Sequence, residues 1–178
     1  MATRTLPTIE HLRQCLAYDP GTGVLAWKPR PRDHFISDQS WHRWLTRYAG
    51  KLAGCPAPSG YICVTIDRQH YDAHRLIWKI MTGTNPIAEI DHINRIALDN
   101  SWTNLREATS QQNKYNKRVL GAVAMKGVHR RPSGNYAAQA RDANGKRVHL
   151  GTFATAEEAH NAFTSFVQPL RGNFYHPT

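Results

Sequence analysis

The chain has few cysteines, few acidic residues and no long apolar run, and each shortage excludes a class of protein. Its three cysteines, Cys15, Cys55 and Cys63, are odd in number and form no Cys-x-x-Cys pair. This argues against both a disulfide scaffold and a zinc ribbon, so we expect reduced, buried thiols. No stretch has the apolar length of a signal-peptide core or a membrane span, so we expect a cytoplasmic protein.

The shortage of acidic residues leaves the chain strongly basic. Only 13 residues are Asp or Glu, against 23 Lys or Arg, which gives a formal net charge of +10. Nucleic acid is the expected polyanionic partner, and a basic surface without a specific partner is the alternative. With 178 residues, 40% of them apolar, the chain is long enough for one sizeable core or for two to three small modules.

One polar segment, residues 89–117, combines acidic, imidazole and carboxamide side chains at spacings that suggest a shared site. Asp91 and Asn113 offer hard oxygen donors suited to Mg²⁺ or Mn²⁺. Histidine is the side chain that most often exchanges protons near neutral pH, so His92 is suited to take the proton of an attacking water. Together these residues suffice for metal-assisted phosphodiester hydrolysis. The alternative is that Asp91 and Asn104 are turn and cap residues and that His92 is a surface histidine.

Local patterns place this segment in two short strands followed by a helix. Residues 85–90 predict a short strand, and Thr109 with Gln112 forms a capping-box pattern that begins a polar helix over 110–118. Neighbouring side chains of a regular strand point to opposite faces. We therefore predict that the strand ends or bulges at the Asp91-His92 pair.

The residues Asp91-His92, then Asn104-Leu105-Arg106, then Asn113 resemble the motif of HNH endonucleases of the phage and intron-encoded type. The resemblance implies a ββα-metal fold in which Asp91 and Asn113 bind the metal and His92 is the general base. It also implies that Asn104 holds the loop and orients the histidine. Where the family often has Asn-Gly in the hairpin, this chain has Asn94-Arg95-Ile96, a departure that concerns the hairpin and not the ligand set.

The first 84 residues predict a small α/β region. From Leu12 on, its segments Tyr18-Asp19-Pro20, Ala49-Gly50-Lys51, Gly60-Tyr61 and His74-Arg75-Leu76 resemble, more weakly, the N-terminal half of the same phage proteins. Helices are expected after Thr8, with Leu16 on the buried face, and over 73–82; strands are expected at 24–28, 61–67 and 70–71. His74 and Arg75 are expected either to reach a phosphate or to lie in a solvated first turn. Residues 30–51 mix aromatic and basic side chains, a pattern typical of nucleic-acid contact but more often of a small core.

Residues 125–178 predict three strands and one packed helix. The strands are expected at 125–131, 135–142 and 146–153, with turns at 132–134 and at Asn144-Gly145. Asn-Gly favours a type I′ turn. Thr155 and Glu158 form a second capping box, and we expect Pro169 to end the helix. Residues 119–124 are predicted to be a linker.

This C-terminal module resembles the DNA-binding domain of plant ethylene-response factors, the APETALA2 domain. The matching residues include Lys126-Gly127-Val128, Tyr136-Ala137-Ala138, Leu150-Gly151-Thr152-Phe153 and Thr155-Ala156-Glu157-Glu158-Ala159. In the family the sheet lies in the major groove of DNA, which implies that the basic side chains of this sheet contact DNA. The alternative is that these side chains form a charged face exposed only to solvent. Ser133 and His149 stand where the plant domains commonly have tryptophan, and His129 where they have arginine. The expected DNA contacts are Lys126, His129, Arg131, Arg141, Arg147 and His149 here, and Arg106 in the nuclease motif.

The sequence thus predicts an α+β protein with an N-terminal structural or DNA-contacting region at 1–84, a ββα-metal nuclease motif at 85–118, a linker at 119–124 and a DNA-binding domain at 125–178. We expect a metal-dependent, site-preferring endonuclease of the phage homing type that nicks double-stranded DNA. The products would carry a 5′-phosphate and a 3′-hydroxyl. A monomer is expected, with a dimer on DNA as the alternative. Two other functions stay open, an inactive DNA-binding regulator and a basic RNA-associated protein.

Overall fold

The computed structural model describes residues 5–117, 123 and 125–177, and the chain divides into two compact units, Met1–Ala108 and Thr109–Thr178. The elements of unit 1 are α1 (Ile9–Cys15), β1 (Leu16–Asp19), β2 (Val24–Trp27), α2 (Asp38–Tyr48), β3 (Cys55–Pro56), β4 (Ile62–Ile66), β5 (Gln69–Asp72), α3 (Ala73–Thr82), β6 (Glu89–His92) and β7 (Leu105–Ala108). The elements of unit 2 are α4 (Ser110–Asn116), β8 (Val128–Arg130), β9 (Tyr136–Arg141), β10 (Arg147–Phe153) and α5 (Ala156–Arg171). The boundary between the units falls inside the segment predicted to form the nuclease motif.

Unit 1 consists of small antiparallel sheets and helices around one apolar core. Strands pair as β1-β2, β3-β4-β5 and β6-β7. The largest fully buried side chains come from α1, β4 and α3 and include Leu12, Ile66, Leu76 and Ile77. Burying each of them stabilises the fold by about 1.5–3 kcal/mol. Mixed helices and antiparallel sheets agree with the predicted α+β class.

The predicted helices of unit 1 are confirmed where local signals were strong. Thr8 caps α1 by accepting a hydrogen bond from the His11 amide. α3 ends at Gly83, whose φ of 78° is the left-handed conformation that favours glycine. Leu16, however, does not extend α1, because it begins β1 and pairs with Trp27.

Helix α2 was not predicted from the mixed aromatic and basic segment. Ser37 caps this helix together with Ser40. The ring of Trp44 lies 5.5 Å from Trp27 and 5.7 Å from Phe35, between ring centroids. Trp44 packs against the main core, so it has the core role that the sequence left open.

Unit 2 contains a three-stranded antiparallel sheet, ordered β10-β9-β8, with α5 packed on one face. Ala138, Ala159, Phe163 and Val167 are buried between the sheet and the helix. The capping box of Thr155 and Glu158 is confirmed at the start of α5.

Two local predictions in unit 2 are wrong. The helix α5 runs through Pro169 to Arg171 and ends at Gly172, whose amide donates to the Gln168 carbonyl. Asn144 does not adopt the positive φ that a type I′ turn requires, because only Gly145 of this turn has one. Asp142 Oδ1 accepts hydrogen bonds from the amides of Asn144 and Lys146, each at 2.9 Å, and stabilises a longer three-residue loop.

The remaining sequence predictions on thiols and linker have mixed outcomes. All three cysteines are free, but only Cys15 is buried, whereas Cys55 is exposed and Cys63 is intermediate.

The predicted linker lies outside the described residues except for Val123. Within the described part of the chain, no helix combines the length and apolarity needed to cross a membrane.

The turn between β4 and β5 carries backbone strain that a substitution can relieve. Asp67 and Arg68 have φ angles of 48° and 64°, both left-handed. Arg68→Gly should stabilise unit 1 by about 1 kcal/mol, because glycine adopts this conformation without a Cβ clash. Urea unfolding followed by tryptophan fluorescence measures unit 1 alone, since all five tryptophans lie in it. Arg68→Ala is the control and should give no gain; an equal gain there would contradict the explanation.

Candidate functional site

The hairpin β6-β7 presents Asp91 and His92 at the end of its first strand. In the ladder Asp91 pairs with Arg106 and His92 with Leu105. β6 begins at Glu89, later than the strand predicted from residue 85, and it ends at His92. The prediction that the strand ends at this pair is therefore confirmed. Asp91 and His92 are each only 5% exposed, and they contact different partners.

The carboxylate of Asp91 is held by Arg106 across the hairpin. The Nε and Nη2 groups of Arg106 donate to Oδ2 of Asp91 at 2.9 and 2.8 Å. A buried carboxylate needs such a partner, because an unpaired charge of this kind costs several kcal/mol. The Arg106 side chain is only 15% exposed. Its observed role is thus to hold Asp91, and the predicted contact of Arg106 with DNA is not favoured by this placement.

The ring of His92 is oriented by Asn100, a residue without a signal in the sequence. Nε2 of His92 lies 3.1 Å from Oδ1 of Asn100. A carboxamide oxygen only accepts, so Nε2 carries the hydrogen, and the neutral ring then has its lone pair on Nδ1. This contact assigns Nε2 as the donor, and in that tautomer of the neutral ring Nδ1 is the nitrogen that can accept a proton. An asparagine in an irregular loop gives no periodic or capping pattern that would have revealed it.

The loop between β6 and β7 is held by Asn104. Its Oδ1 accepts from the Asn94 amide at 2.9 Å, and its Nδ2 donates to the Asp99 carbonyl at 2.7 Å. Hydrogen bonds from Ser101 hold the pKa of the Asp99 carboxyl below its usual range. Arg95 has a φ of 64°, so it takes the left-handed conformation at the place where the family often has glycine.

The turn between β1 and β2 supports the same loop from the other side. The Tyr18 hydroxyl donates to the Asn100 carbonyl at 2.8 Å, and the Trp102 amide donates to the Pro20 carbonyl at 2.9 Å. Burial raises the pKa of Tyr18 to about 12. Gly23 has a φ of 75°, and a Cβ there would lie 2.3 Å from the Ser101 nitrogen. Only glycine allows this approach of the turn to the loop that carries Asn100.

Two aromatic rings complete the surroundings of His92. The ring centroids of His74 and Tyr61 lie 5.3 and 5.7 Å from that of His92. His74 is 6% exposed, and its Nδ1 has no hydrogen-bond partner within the described part of the chain. Burial is the main cause that lowers the pKa of His74 to about 3, and repulsion from a protonated His92 and from Arg75 adds to it. Neither predicted role of His74, phosphate contact or a solvated first turn, agrees with this buried position.

Asn113 lies in unit 2, in the first turn of α4. Thr109 caps this helix, and the predicted capping box with Gln112 is confirmed. The Asn113 amide donates to the Thr109 carbonyl at 2.9 Å. Its role as a metal ligand remains a prediction.

The sheet of unit 2 carries most of the predicted DNA contacts on the face opposite α5. Ala138 and Ala140 of β9 point to the helix, so the alternate residues Gln139 and Arg141 point away from it. The strand register places the following exposed residues on the same outer face: His129, Arg131, Arg141, Arg147 and His149.

Lys126 is the exception among these predicted contacts. Its side chain is buried, with the residue 8% exposed, and its Nζ donates to the carbonyls of Tyr115 and His176, each at 2.6 Å. The ammonium group therefore links segments within unit 2. A DNA contact by Lys126 does not agree with this position.

Known proteins are similar to this chain, and one match includes the segment that carries the buried Asp91-His92 pair. The sequence profile of a family described as HNH endonuclease matches residues 71–115. An uncharacterized HNH endonuclease of Acanthamoeba polyphaga mimivirus is 32% identical over 159 residues, which cover 88% of this chain and 76% of that protein. The ethylene-responsive transcription factor LEP of Arabidopsis thaliana is 43% identical over 65 residues, 36% of this chain and 31% of that protein.

The chain belongs to the HNH endonuclease family. It is therefore a nuclease, a member of the hydrolases.

The buried His74 gives a testable pH dependence of stability. Its pKa is about 3 in the folded protein, against 6.5 for a solvent-exposed histidine, so the unfolded chain binds the proton more tightly. The stability contributed by neutral His74 is full above pH 6.5 and is lost progressively as the pH falls toward 3. Between pH 7 and 5 this loss amounts to about 2 kcal/mol.

His74→Phe, which does not titrate, should remove this part of the pH dependence. Urea unfolding at pH 5, 6 and 7, followed by tryptophan fluorescence, measures the difference in slope. The exposed His42 provides the matched control, and His42→Phe should keep the wild-type slope. An unchanged slope in His74→Phe would show that His74 is not buried in the neutral form.

Proposed function

We propose that this protein is a divalent-metal-dependent DNA endonuclease that cleaves one strand at a time at preferred sites. The observation that carries the proposal is the pair at the end of β6, where Asp91 is held by Arg106 and His92 by Asn100. Two adjacent polar residues are buried there, each with its own partner. Burying polar side chains costs free energy, so such an arrangement is typical of a functional site.

The donor set fits Mg²⁺ or Mn²⁺. Asp91 supplies a carboxylate and Asn113 a carboxamide oxygen, both hard donors, and two protein ligands leave positions for water and phosphate. When bound, the ion would polarise the scissile phosphate and stabilise the leaving oxygen. Asn113 enters this set as a proposal supported by the family motif.

His92 supplies the general base. Its Nε2–H bond to Asn100 leaves Nδ1 as the proton acceptor, so a water placed there loses its proton to Nδ1 as its oxygen attacks phosphorus. The bond from phosphorus to the 3′ oxygen breaks, and the leaving oxygen takes a proton from solvent water. The products are a 5′-phosphate and a 3′-hydroxyl, as the family resemblance implies. One such site attacks one strand, so nicking is the expected product, and a double-strand break requires a dimer or a second event.

The outer face of the unit 2 sheet supplies DNA affinity and register. Three exposed arginines, Arg131, Arg141 and Arg147, lie on it with His129 and His149. Arginine pairs with guanine through two hydrogen bonds in the major groove. The partial similarity to a plant transcription factor supports this role. A homing role of the phage type is part of the same proposal.

Nicking of a supercoiled plasmid that carries the DNA flanking the gene tests the catalytic assignment. The wild type with Mg²⁺ or Mn²⁺ should produce open circles, and EDTA should abolish them. His92→Ala should lower the rate by at least about 100-fold, because the general base is lost. His70→Ala is the control, since His70 is an exposed histidine of the same unit, and it should keep activity.

Each other outcome has a defined meaning. Equal loss in His70→Ala would contradict a specific role of His92. Tight DNA binding without cleavage by the wild type would favour a DNA-binding regulator. Preference for RNA would favour an RNA-associated protein.

The neighbouring residues Arg130 and Arg131 test the DNA-binding face. Arg130 pairs with Tyr136, whose ring packs on the α5 side, so the two arginines leave the edge strand on opposite faces. Arg131→Ala should weaken DNA binding and reduce the slope of log affinity against log salt by about 1, whereas Arg130→Ala should not. Fluorescence anisotropy at several salt concentrations measures both. The reverse order would place the DNA on the other face.

A further inference from the structure

Unit 1 contains a second cluster of metal-binding side chains, separate from the Asp91 and His92 pair. His11 and Cys15 of α1 meet His34, the last residue of a short 3-10 turn at Arg32–His34. One donor atom from each of the three lies within 4.8 Å of the others. Cys15 is fully buried, so the cluster is closed on one side.

The spacing of the donors is that of a four-coordinate ion. His11 and Cys15 are four residues apart and therefore project from the same face of α1. Sγ of Cys15 lies 3.6 Å from Nε2 of His11 and 4.0 Å from Nδ1 of His34. In a tetrahedral zinc site, bonds of about 2.3 Å to sulfur and about 2.0 Å to nitrogen separate the two ligand atoms by about 3.6 Å. The three side chains therefore need little movement.

Asp67, in the turn between β4 and β5, is positioned to be the fourth ligand. Its Oδ2 lies 2.7 Å from Nε2 of His11. Two ligands of one ion lie about 3.3 Å apart. Asp67 is not among the donors that all lie within 4.8 Å of one another. It therefore binds the ion only after its side chain moves, and this side chain is 52% exposed and has room to do so.

The positively charged guanidinium of Arg30 lies beside this cluster and would repel a metal cation. Its hydrogen bonds show how much of this repulsion the neighbouring groups offset. Its Nη2 donates to Oδ1 of Asp67 at 2.7 Å, and its Nε donates to Nδ1 of His34 at 3.2 Å. A metal bound to Nδ1 of His34 would replace the hydrogen bond from Arg30 to that atom. The hydrogen bond from Arg30 to Asp67 would remain, and metal-binding carboxylates commonly accept such a bond. Burial raises the pKa of the free Cys15 thiol to about 11, and coordination to a metal ion deprotonates such a thiol. The resulting thiolate and the Asp67 carboxylate would then offset the guanidinium charge.

We propose that His11, Cys15, His34 and Asp67 form a structural site for a borderline-soft divalent ion of the Zn²⁺ type. Thiolate and imidazole donors select such ions, whereas Asp91 and Asn113 offer only oxygen. The ion would connect α1, the 3-10 turn and the turn between β4 and β5, three segments distant in sequence. The absence of a Cys-x-x-Cys pair does not exclude this donor set, because a His and a Cys four residues apart on one helix, His11 and Cys15, supply two of its ligands.

Titration of the full chain with Co²⁺ tests the site independently of nuclease activity. A near-ultraviolet thiolate-to-cobalt charge-transfer band should appear at one ion per chain and disappear when Zn²⁺ is added. This band requires a cysteine ligand, so ions bound by Asp91 and Asn113 do not produce it. Absence of the band in the wild type would overturn the proposal.

Variants identify the ligand. Cys15→Ala should lose the band, whereas the control Cys55→Ala should keep it, because Cys55 is an exposed thiol outside the cluster. His34→Asn keeps the thiol and should weaken Co²⁺ binding by at least about 10-fold, which tests the site even if Cys15→Ala does not fold. A band that survives in Cys15→Ala, or unchanged affinity in His34→Asn, would show that the thiolate signal comes from elsewhere.

Discussion

The burial of two adjacent ionisable side chains at the end of one strand is the constraint on which unit 1 depends. Asp91 and His92 are each 5% exposed, and each would cost several kcal/mol without a partner. The ladder itself satisfies Asp91, because Arg106 stands opposite it in the hairpin. His92 points elsewhere and needs Asn100, which lies in an irregular loop. The orientation of His92, the proposed general base, therefore depends on the conformation of that loop.

The loop is fixed from two directions, and this explains why the N-terminal segments belong to the site. Asn104 closes the loop from inside through Asn94 and the Asp99 carbonyl. The turn between β1 and β2 reaches it from outside through Gly23, where a Cβ would collide with the loop backbone. The matched family segment begins only at residue 71, so part of what orients His92 comes from outside it. A nuclease motif transplanted without this turn would lose a support of Asn100.

What the sequence predicted well was local, and what it missed depends on contacts between distant residues. The capping boxes at Thr109 and Thr155 and the helix that ends at Gly83 need only neighbouring residues, and they are confirmed. The motif residues of the site were also visible from spacing, but Asn100 was not, because its importance comes from contact with His92. The Asn-Gly turn is an exception, because the hydrogen bonds of Asp142 that changed it join residues only two and four positions apart. Charge was equally ambiguous: Arg106 and Lys126 look like DNA contacts in the sequence, yet each satisfies oxygen atoms inside its own unit.

The buried lysine has a consequence for the helix α4. Nζ of Lys126 donates to the Tyr115 carbonyl in that helix, and the guanidinium of Arg171, in the last turn of α5, lies 4.2 Å from the Tyr115 ring centroid. α4 is thereby packed into the same compact unit as the sheet with the basic outer face. Asn113, in the first turn of α4, therefore belongs to the body that carries the proposed DNA-binding surface. DNA bound to that sheet would fix the helix of the second proposed metal ligand through side-chain packing, and not merely through the connectivity of the chain.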